Sequence, residues 1–344
     1  MSNQRLRSGH EVVPMSEEWL TRLEKDQKMY KQGMIRLMPD GWLYPTTFIN
    51  LADRIYNFEF RSSDVVLMTM PKSGTTWTQE ILWTMLHNPD LDHPQADEPI
   101  YHRAPEINLD MMFDSKGMEG AKIDNFARAF IETCPGRKPE DGMSLQMCEL
   151  TADPRVIKTH LPLSVLAPDL LDKAKVVYVA RNPKDVVVSY YYFYCMMKAF
   201  TYTGSFTNFV KYFMNDEVVF GPYWPHLRLA WEKKDHPNMF FVFYEDMKED
   251  IMAVLHKLNK FLGTNLTQQQ LDNVSRHTSF SAMKSRGEPL IDGDVFNADV
   301  REKVGGYFRK GIIGDWKNHF TPELEQEMNQ WVESHAADIG ITFK

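Results

Sequence analysis

Val65-Val-Leu-Met-Thr-Met70, Pro71-Lys-Ser-Gly74 and the stretch from Thr75 to His87 make one unit: an apolar run, a polar turn and a helical pattern. Trp77, Ile81, Leu82, Met85 and Leu86 fall at helical spacing. The same unit recurs along the chain. Val156-Ile-Lys-Thr-His160 is closed by Leu161-Pro162. Val176-Val-Tyr-Val-Ala180 runs into Arg181-Asn-Pro and a helix expected from Lys184 to about Ala199. Met239-Phe-Phe-Val-Phe-Tyr244 leads through Glu245-Asp246 into a helix expected through Phe261. Continuous β-branched and aromatic runs alternating with helices predict a parallel sheet covered on both faces. The fold class is therefore α/β, three-layered, with a central parallel sheet and helices on both sides.

The remaining organisation is that of a single domain over residues 1–344, without repeats. Residues 1–44 read as a polar N-terminal extension with a helix after Ser16, on which Leu20 and Leu23 share a face. Residues 110–153, rich in Gly, Pro and Met, read as an insertion or lid, and 285–306 as a mobile loop. Loops this long in a compact domain are usually functional or disordered. Thr321-Pro322 starts a last helix, with Leu324, Met328, Trp331 and Val332 as its apolar stripe.

Composition narrows the function. The 344 residues carry 39 basic and 47 acidic side chains, a net charge of −8, which disfavours a nucleic-acid-coating protein. That balance still permits a local basic pocket. No run approaches the ~20 apolar residues of a membrane helix, and the N-terminus lacks the apolar core of a signal peptide. Three widely spaced cysteines, Cys134, Cys148 and Cys195, fit neither a disulfide framework nor a metal knuckle. The expectation is a reduced, cytoplasmic protein without membrane or nucleic-acid partners.

In open α/β sheets ligands bind outside the carboxyl ends of the strands. Those ends deliver Lys72, Ser73, Gly74, Thr75 and Thr76, then Lys158 and His160, then Arg181 with Ser189, then Tyr244. Cations, one histidine and hydroxyls so gathered in an acidic chain predict an anion site. The Lys72–Thr76 loop enters a helix N-terminus, where free N–H groups and the dipole favour phosphate or sulfate. Gly74 allows close backbone approach. The order differs from a Walker A loop, because Lys precedes Gly. His160, with an ordinary pKa of about 6.5, suits removal of a hydroxyl proton. Eleven histidines include no HExxH and no Cys/His cluster, so no metal is expected. Each feature also has a plainer reading: a capping turn, a satisfied histidine, solvated charges. Tyr307-Phe-Arg-Lys-Gly311 offers a second anion clamp.

Taken in order, Pro71-Lys-Ser-Gly-Thr-Thr-Trp77, Lys158-Thr-His160, Arg181-Asn-Pro-Lys-Asp-Val-Val-Val-Ser189, Tyr244-Glu-Asp, Thr278-Ser-Phe280, Arg309-Lys-Gly311 and Gly314-Asp-Trp316 resemble the cytosolic sulfotransferases. The resemblance spans roughly residues 45–320 and includes the invertebrate, retinol-dehydratase-like branch. It implies an enzyme using 3′-phosphoadenosine 5′-phosphosulfate (PAPS) and releasing 3′-phosphoadenosine 5′-phosphate (PAP), without a metal. The implied P-loop-like segment Lys72, Ser73, Gly74, Thr75 and Thr76 would hold the 5′-phosphosulfate, and Trp77 would stack on adenine. Arg181, Ser189, Arg309, Lys310 and Gly311 would hold the 3′-phosphate. Tyr244, Thr278, Ser279, Phe280 and Met283 would line the adenine site. His160 would be the general base, Lys72 and Lys158 its catalytic partners, and Phe193 part of the acceptor pocket. The implied acceptor is a small lipophilic hydroxyl compound such as a phenol, steroid or retinoid.

The resemblance also has gaps. The 110–153 stretch is longer than expected. The family's dimer motif reads here as Lys317, Thr321-Pro322 and Gln326, which leaves a homodimer open. Three alternatives compete: a retinol-dehydratase-like enzyme that eliminates a transient sulfate, a binding protein without turnover, and a kinase using Glu245-Asp246 for Mg²⁺.

Overall fold

The computed structural model describes residues 4–27, 33–112, 125–286 and 295–344. Eight strands there form two sheets. The first is antiparallel, in the order β1 (Gln4–Arg5), β2 (Glu11–Pro14), β3 (Met34–Met38), β4 (Trp42–Pro45). The second is parallel, in the order β6 (Val156–Thr159), β5 (Val65–Thr69), β7 (Lys175–Ala180), β8 (Met239–Phe243). Leu67 of β5 stands between Lys158 of β6 and Val177 of β7, which fixes the register of the central strands.

Every residue of β5 is buried, as a run apolar on both faces requires. Val66 and Met68 join one core with Ile157, Val176, Tyr178 and the N-terminal sheet. Val65 and Leu67 join the other with Val177, Val179, Ile81, Leu82, Leu258 and Val274. Alternate side chains thus feed opposite layers, and the three-layer expectation holds.

Five local expectations change. Residues 1–44 are more than a polar extension. The helix after Ser16 exists (Glu17–Glu24, capped by Ser16), but Ile35, Leu37, Trp42 and Leu43 of β3 and β4 are almost wholly buried. The apolar runs flanking Asp40-Gly41, where Gly41 takes a φ of 82°, form a hairpin whose short strands carry little periodicity. Within 110–153, Asn125–Thr133 and Met143–Leu150 are helices, and Leu145 and Cys148 belong to the main core. Residues 113–124 of that proposed lid lie outside the described residues. So do 287–294 of the proposed mobile loop, whose later part holds a helix at Ala298–Val304. Finally, Asp250 splits the expected single helix into Tyr244–Glu249 and Ile251–Leu262 by capping the second, its carboxylate accepting from Ala253 N–H at 2.9 Å. The Pro183–Met196 helix stops three residues early because Met197 turns extended and bridges Phe296.

The last helix, Pro322–Ile339, is capped by Thr321 and buries Leu324 and Met328 as its stripe predicts. All three cysteines are free thiols. No helix among the described residues is long and apolar enough to cross a membrane.

Candidate active site

The carboxyl ends of β5, β6, β7 and β8 open onto one cavity of about 780 Å³. Its wall includes Lys72, Gly74, Thr75, Thr76 and Trp77 from the first loop, and Lys158 and His160 after β6. Arg181, Ser189 and Phe193 come from the third unit and Tyr244 from the fourth. Phe280, Met283, Arg309, Lys310 and Gly311 close it from distant segments. Much of the remaining lining is apolar, including Leu109, Met112, Met143, Phe200 and Phe220.

The first loop is shaped for an anion. Lys72 adopts a φ of 70° and Gly74 a φ of 98°, left-handed values that turn the chain sharply from the strand into the helix. A non-glycine residue pays about 1–3 kcal/mol for such a conformation. Here Arg181 braces it, its Nη1 donating to the Lys72 carbonyl at 2.9 Å. Thr78 N–H makes the first intrahelical bond, to the Gly74 carbonyl at 3.0 Å, so the preceding helical N–H groups lack intrahelical partners. Glycine is required at position 74: a Cβ there would sit 2.6 Å from Tyr244 Cδ2.

Charge is concentrated around Lys72. Burial, then the neighbouring Lys158, Arg181 and Arg309, lower its pKa to about 7. Its Nζ lies 4.3 Å from the Phe193 ring centre and 4.7 Å from that of Tyr307, whose hydroxyl meets Thr76 Oγ1 at 2.7 Å. Arg181 stacks over Tyr244 at 4.4 Å, Tyr244 packs edge-on to Trp77, and Lys248 lies over Trp77 at 5.4 Å.

His160 is buried and neutral. Burial, then the charge of Lys158, lower its pKa to about 3. The ring Nδ1 lies 2.9 Å from the Thr69 carbonyl, which can only accept, so Nδ1 carries the proton. That tautomer leaves Nε2 with a free lone pair on a ring that lines the cavity. Asn108 holds the backbone, its Oδ1 accepting from His160 N–H and from Thr159 Oγ1, both at 3.0 Å. His226 donates from Nε2 to the His160 carbonyl at 3.2 Å.

Three expected residues fall outside the cavity wall. Thr278 Oγ1 donates to Val274 within its own helix, and Ser279 Oγ caps the next one. Ser73 is buried beneath the loop. Arg309 and Lys310 reach the wall but engage Asp315, at 2.6 Å each. Burial alone would raise the Asp315 pKa; Lys310, Asn318 and Arg309 hold it well below the usual carboxylate range. Asp185 accepts from Gly314 N–H at 2.7 Å and Trp316 N–H at 3.1 Å, joining motifs 129 residues apart. Glu245 and Asp246 are absent from the wall: Glu245 accepts from Asn182 N–H and Asp246 pairs with Lys344. The magnesium-site reading of that pair therefore fails.

A family model described as "Sulfotransferase domain" matches residues 62–340. The chain belongs to the sulfotransferase family. Sulfotransferase 1A1 of Mus musculus is 38% identical over 300 residues, 86% of this chain and 92% of that one. Sulfotransferase 1E1 of Bos taurus is 35% identical over 301 residues, 86% of this chain and 91% of that one. Among solved structures, retinol dehydratase in a complex with retinol and PAP superposes with a TM-score of 0.82 at 25% identity. That match covers 97% of this chain and 99% of the other.

The site of this sulfotransferase also holds residues that sequence reasoning passed over. Glu106, in Arg103-Ala-Pro-Glu106, carries no motif, and only its bridge to Lys158 brings it to the cavity. Asn108, two residues later, bonds to Glu106, Thr159 and His160. Asp315 stood inside the Gly314-Asp-Trp316 motif, which could have flagged it. Tyr307 was visible as an aromatic beside two cations. Lys248 had no signal beyond its place after the fourth strand.

Proposed function

We propose that this sulfotransferase moves the sulfuryl group of PAPS onto a hydroxyl of a small lipophilic acceptor in the cytoplasm, giving a sulfate ester and PAP. The observation that carries the reading is the neutral His160 imidazole, held Nδ1–H to Thr69, in one largely apolar cavity with Lys72 and Lys158. The fit of a nucleotide of this charge is supported by two buried polar atoms on cavity-lining residues that lack partners among the described residues, Trp77 Nε1 and Arg181 Nε. Such atoms are costly unless a ligand satisfies them.

Within this reading His160 Nε2 takes the acceptor's hydroxyl proton as its oxygen bonds to sulfur. The bond from sulfur to the bridging oxygen breaks, and its electron pair stays on the 5′-phosphate of PAP. Lys72 and the loop N–H groups stabilise that departing charge, while Lys158 faces the transferring group. Sulfuryl transfer, like phosphoryl transfer, leaves the protein mainly positioning and electrostatic work. Trp77, Tyr244, Phe280 and Met283 would flank adenine. Arg181, Ser189, Arg309, Lys310 and Gly311 would take the 3′-phosphate, with Arg309 and Lys310 exchanging Asp315 for it.

A second reading, transient sulfonation followed by elimination, is favoured by the TM-score of 0.82 to retinol dehydratase. It shares the first step and differs in releasing inorganic sulfate.

Thermal shift with PAP, ADP and Mg·ATP tests the donor site. A ligand at about 100 times its Kd adds about 2.7 kcal/mol, so PAP should raise the melting temperature and the other two should not. Stabilisation by Mg·ATP alone would refute the reading. Mass spectrometry of products from a phenol and an allylic alcohol then separates ester from eliminated hydrocarbon.

A further inference from the structure

Two carboxylates line the cavity among the described residues, Glu106 and Asp315. Asp315 is consumed by Arg309, Lys310, Asn318 and His319. Glu106 is not. Its Oε2 accepts from Lys158 Nζ at 2.6 Å and its Oε1 from Asn108 Nδ2 at 2.7 Å. An ionised carboxylate offers about four acceptor positions, so one on each oxygen remains. Burial pushes the Glu106 pKa up, but the Lys158 ammonium and the Asn108 hydrogen bond hold it below the ordinary value, so the group is ionised and accepts only.

A carboxylate buried beside Leu109, Met112 and Met143 is expensive. An acceptor with one hydroxyl, presented to His160, leaves those free positions without a donor. Tethering Lys158 needs one oxygen, not an acid with capacity to spare on a residue that lines the cavity. We infer that Glu106 is a specificity-determining residue: it accepts a hydrogen bond from a second, neutral hydroxyl beside the reacting one, so that the site favours catechols and vicinal diols over mono-hydroxy lipophiles. The inference rests on the proposed sulfuryl transfer at His160. A neutral donor is preferred to an ammonium because Lys158 already balances Glu106. Lys72, Arg181 and Arg309 add further positive charge close by.

The test compares an alkylcatechol with the matching alkylphenol, each bound to the full chain by calorimetry with and without PAP. The wild-type chain should prefer the catechol. Glu106→Leu should lower the catechol-to-phenol affinity ratio about tenfold, the scale of one hydrogen bond to a charged group. Loss of the Lys158 tether acts on both ligands and cancels in that ratio. Glu106→Gln keeps one accepting oxygen and should fall between, which covers failure of the Leu variant to fold. A loosened Lys158 or His160 would weaken both ligands equally and leave the ratio intact, so an unchanged ratio overturns the inference. A wild-type chain that binds the corresponding ammonium-bearing phenol more tightly than the catechol overturns it as well. These affinities need no turnover. Absence of PAP binding, or of sulfonation of either compound, would instead count against the proposed function.

Discussion

His160 Nδ1 donates to the backbone carbonyl of Thr69 at 2.9 Å, and this bond joins the ends of two neighbouring strands at the point where chemistry is proposed. It fixes the ring's tautomer with a main-chain group, which no side-chain substitution at position 69 removes.

His160→Ala should therefore cost roughly 10²–10⁴-fold in kcat, the usual contribution of a general base. PAP affinity should stay within about twofold, since the imidazole is not among the proposed nucleotide contacts. Because burial holds the His160 pKa near 3, the wild-type kcat profile should show no rising limb centred near pH 6.5. Near-normal turnover by the Ala variant, or a clear inflection near 6.5, would sink the base assignment.

Lys72 predicts a pH dependence of nucleotide binding. Its free-state pKa is about 7, and an anion placed beside the ammonium favours the charged form and raises that value. Below about pH 7 the lysine is already charged, and affinity is full. Above it, binding must take up a proton, so the Kd for PAP should rise by up to about tenfold per pH unit. Lys72→Met should bind more weakly and lose that slope. Titration calorimetry at pH 6.5, 7.5 and 8.5 in two buffers reads both affinity and proton uptake.

Gly74→Ala should harm both folding and donor binding. The new methyl meets Tyr244 at 2.6 Å, on a backbone with a φ of 98°. A strained, overpacked site of this kind costs on the order of 1–3 kcal/mol. Denaturant melts should show the loss, and Tyr244→Ala in the same chain should recover part of it by removing the obstruction.

Asp64→Ala should be among the most destabilising single changes. Asp64 and Arg155 are almost fully buried and paired through two hydrogen bonds of 2.7 and 2.5 Å, one on each carboxylate oxygen. Removing one partner strands a charge, at about 3–5 kcal/mol. The double variant Asp64→Leu, Arg155→Met should cost less than the single one when both are compared by chemical unfolding.

The parallel sheet was legible because its strands are continuous apolar runs that end in chemistry-bearing turns. His160, Lys72 and Arg181 sit where that reasoning put them. The N-terminal sheet was not legible: β1 is two residues long, and β3 with β4 makes sense only once their burial against the central layers is known. Glu106 and Asn108 were hidden for a related reason. They belong to no strand or motif, and a bridge to Lys158 decides their position. Asp315 was quoted in a motif, yet its partnership with Arg309 and Lys310 is a tertiary fact. Thr278 and Ser279 were placed by analogy, and local capping took their hydroxyls instead.

The match to the family model begins at residue 62, but the interior does not begin there. Trp42, Leu43 and Tyr44 have no measurable exposure and share a core with Val66, Tyr178 and Trp224. A polypeptide trimmed to residues 62–340 would present that interior face to water. It should be recovered from expression as an aggregate, so the smallest useful fragment is set by β3 rather than by the bounds of that match.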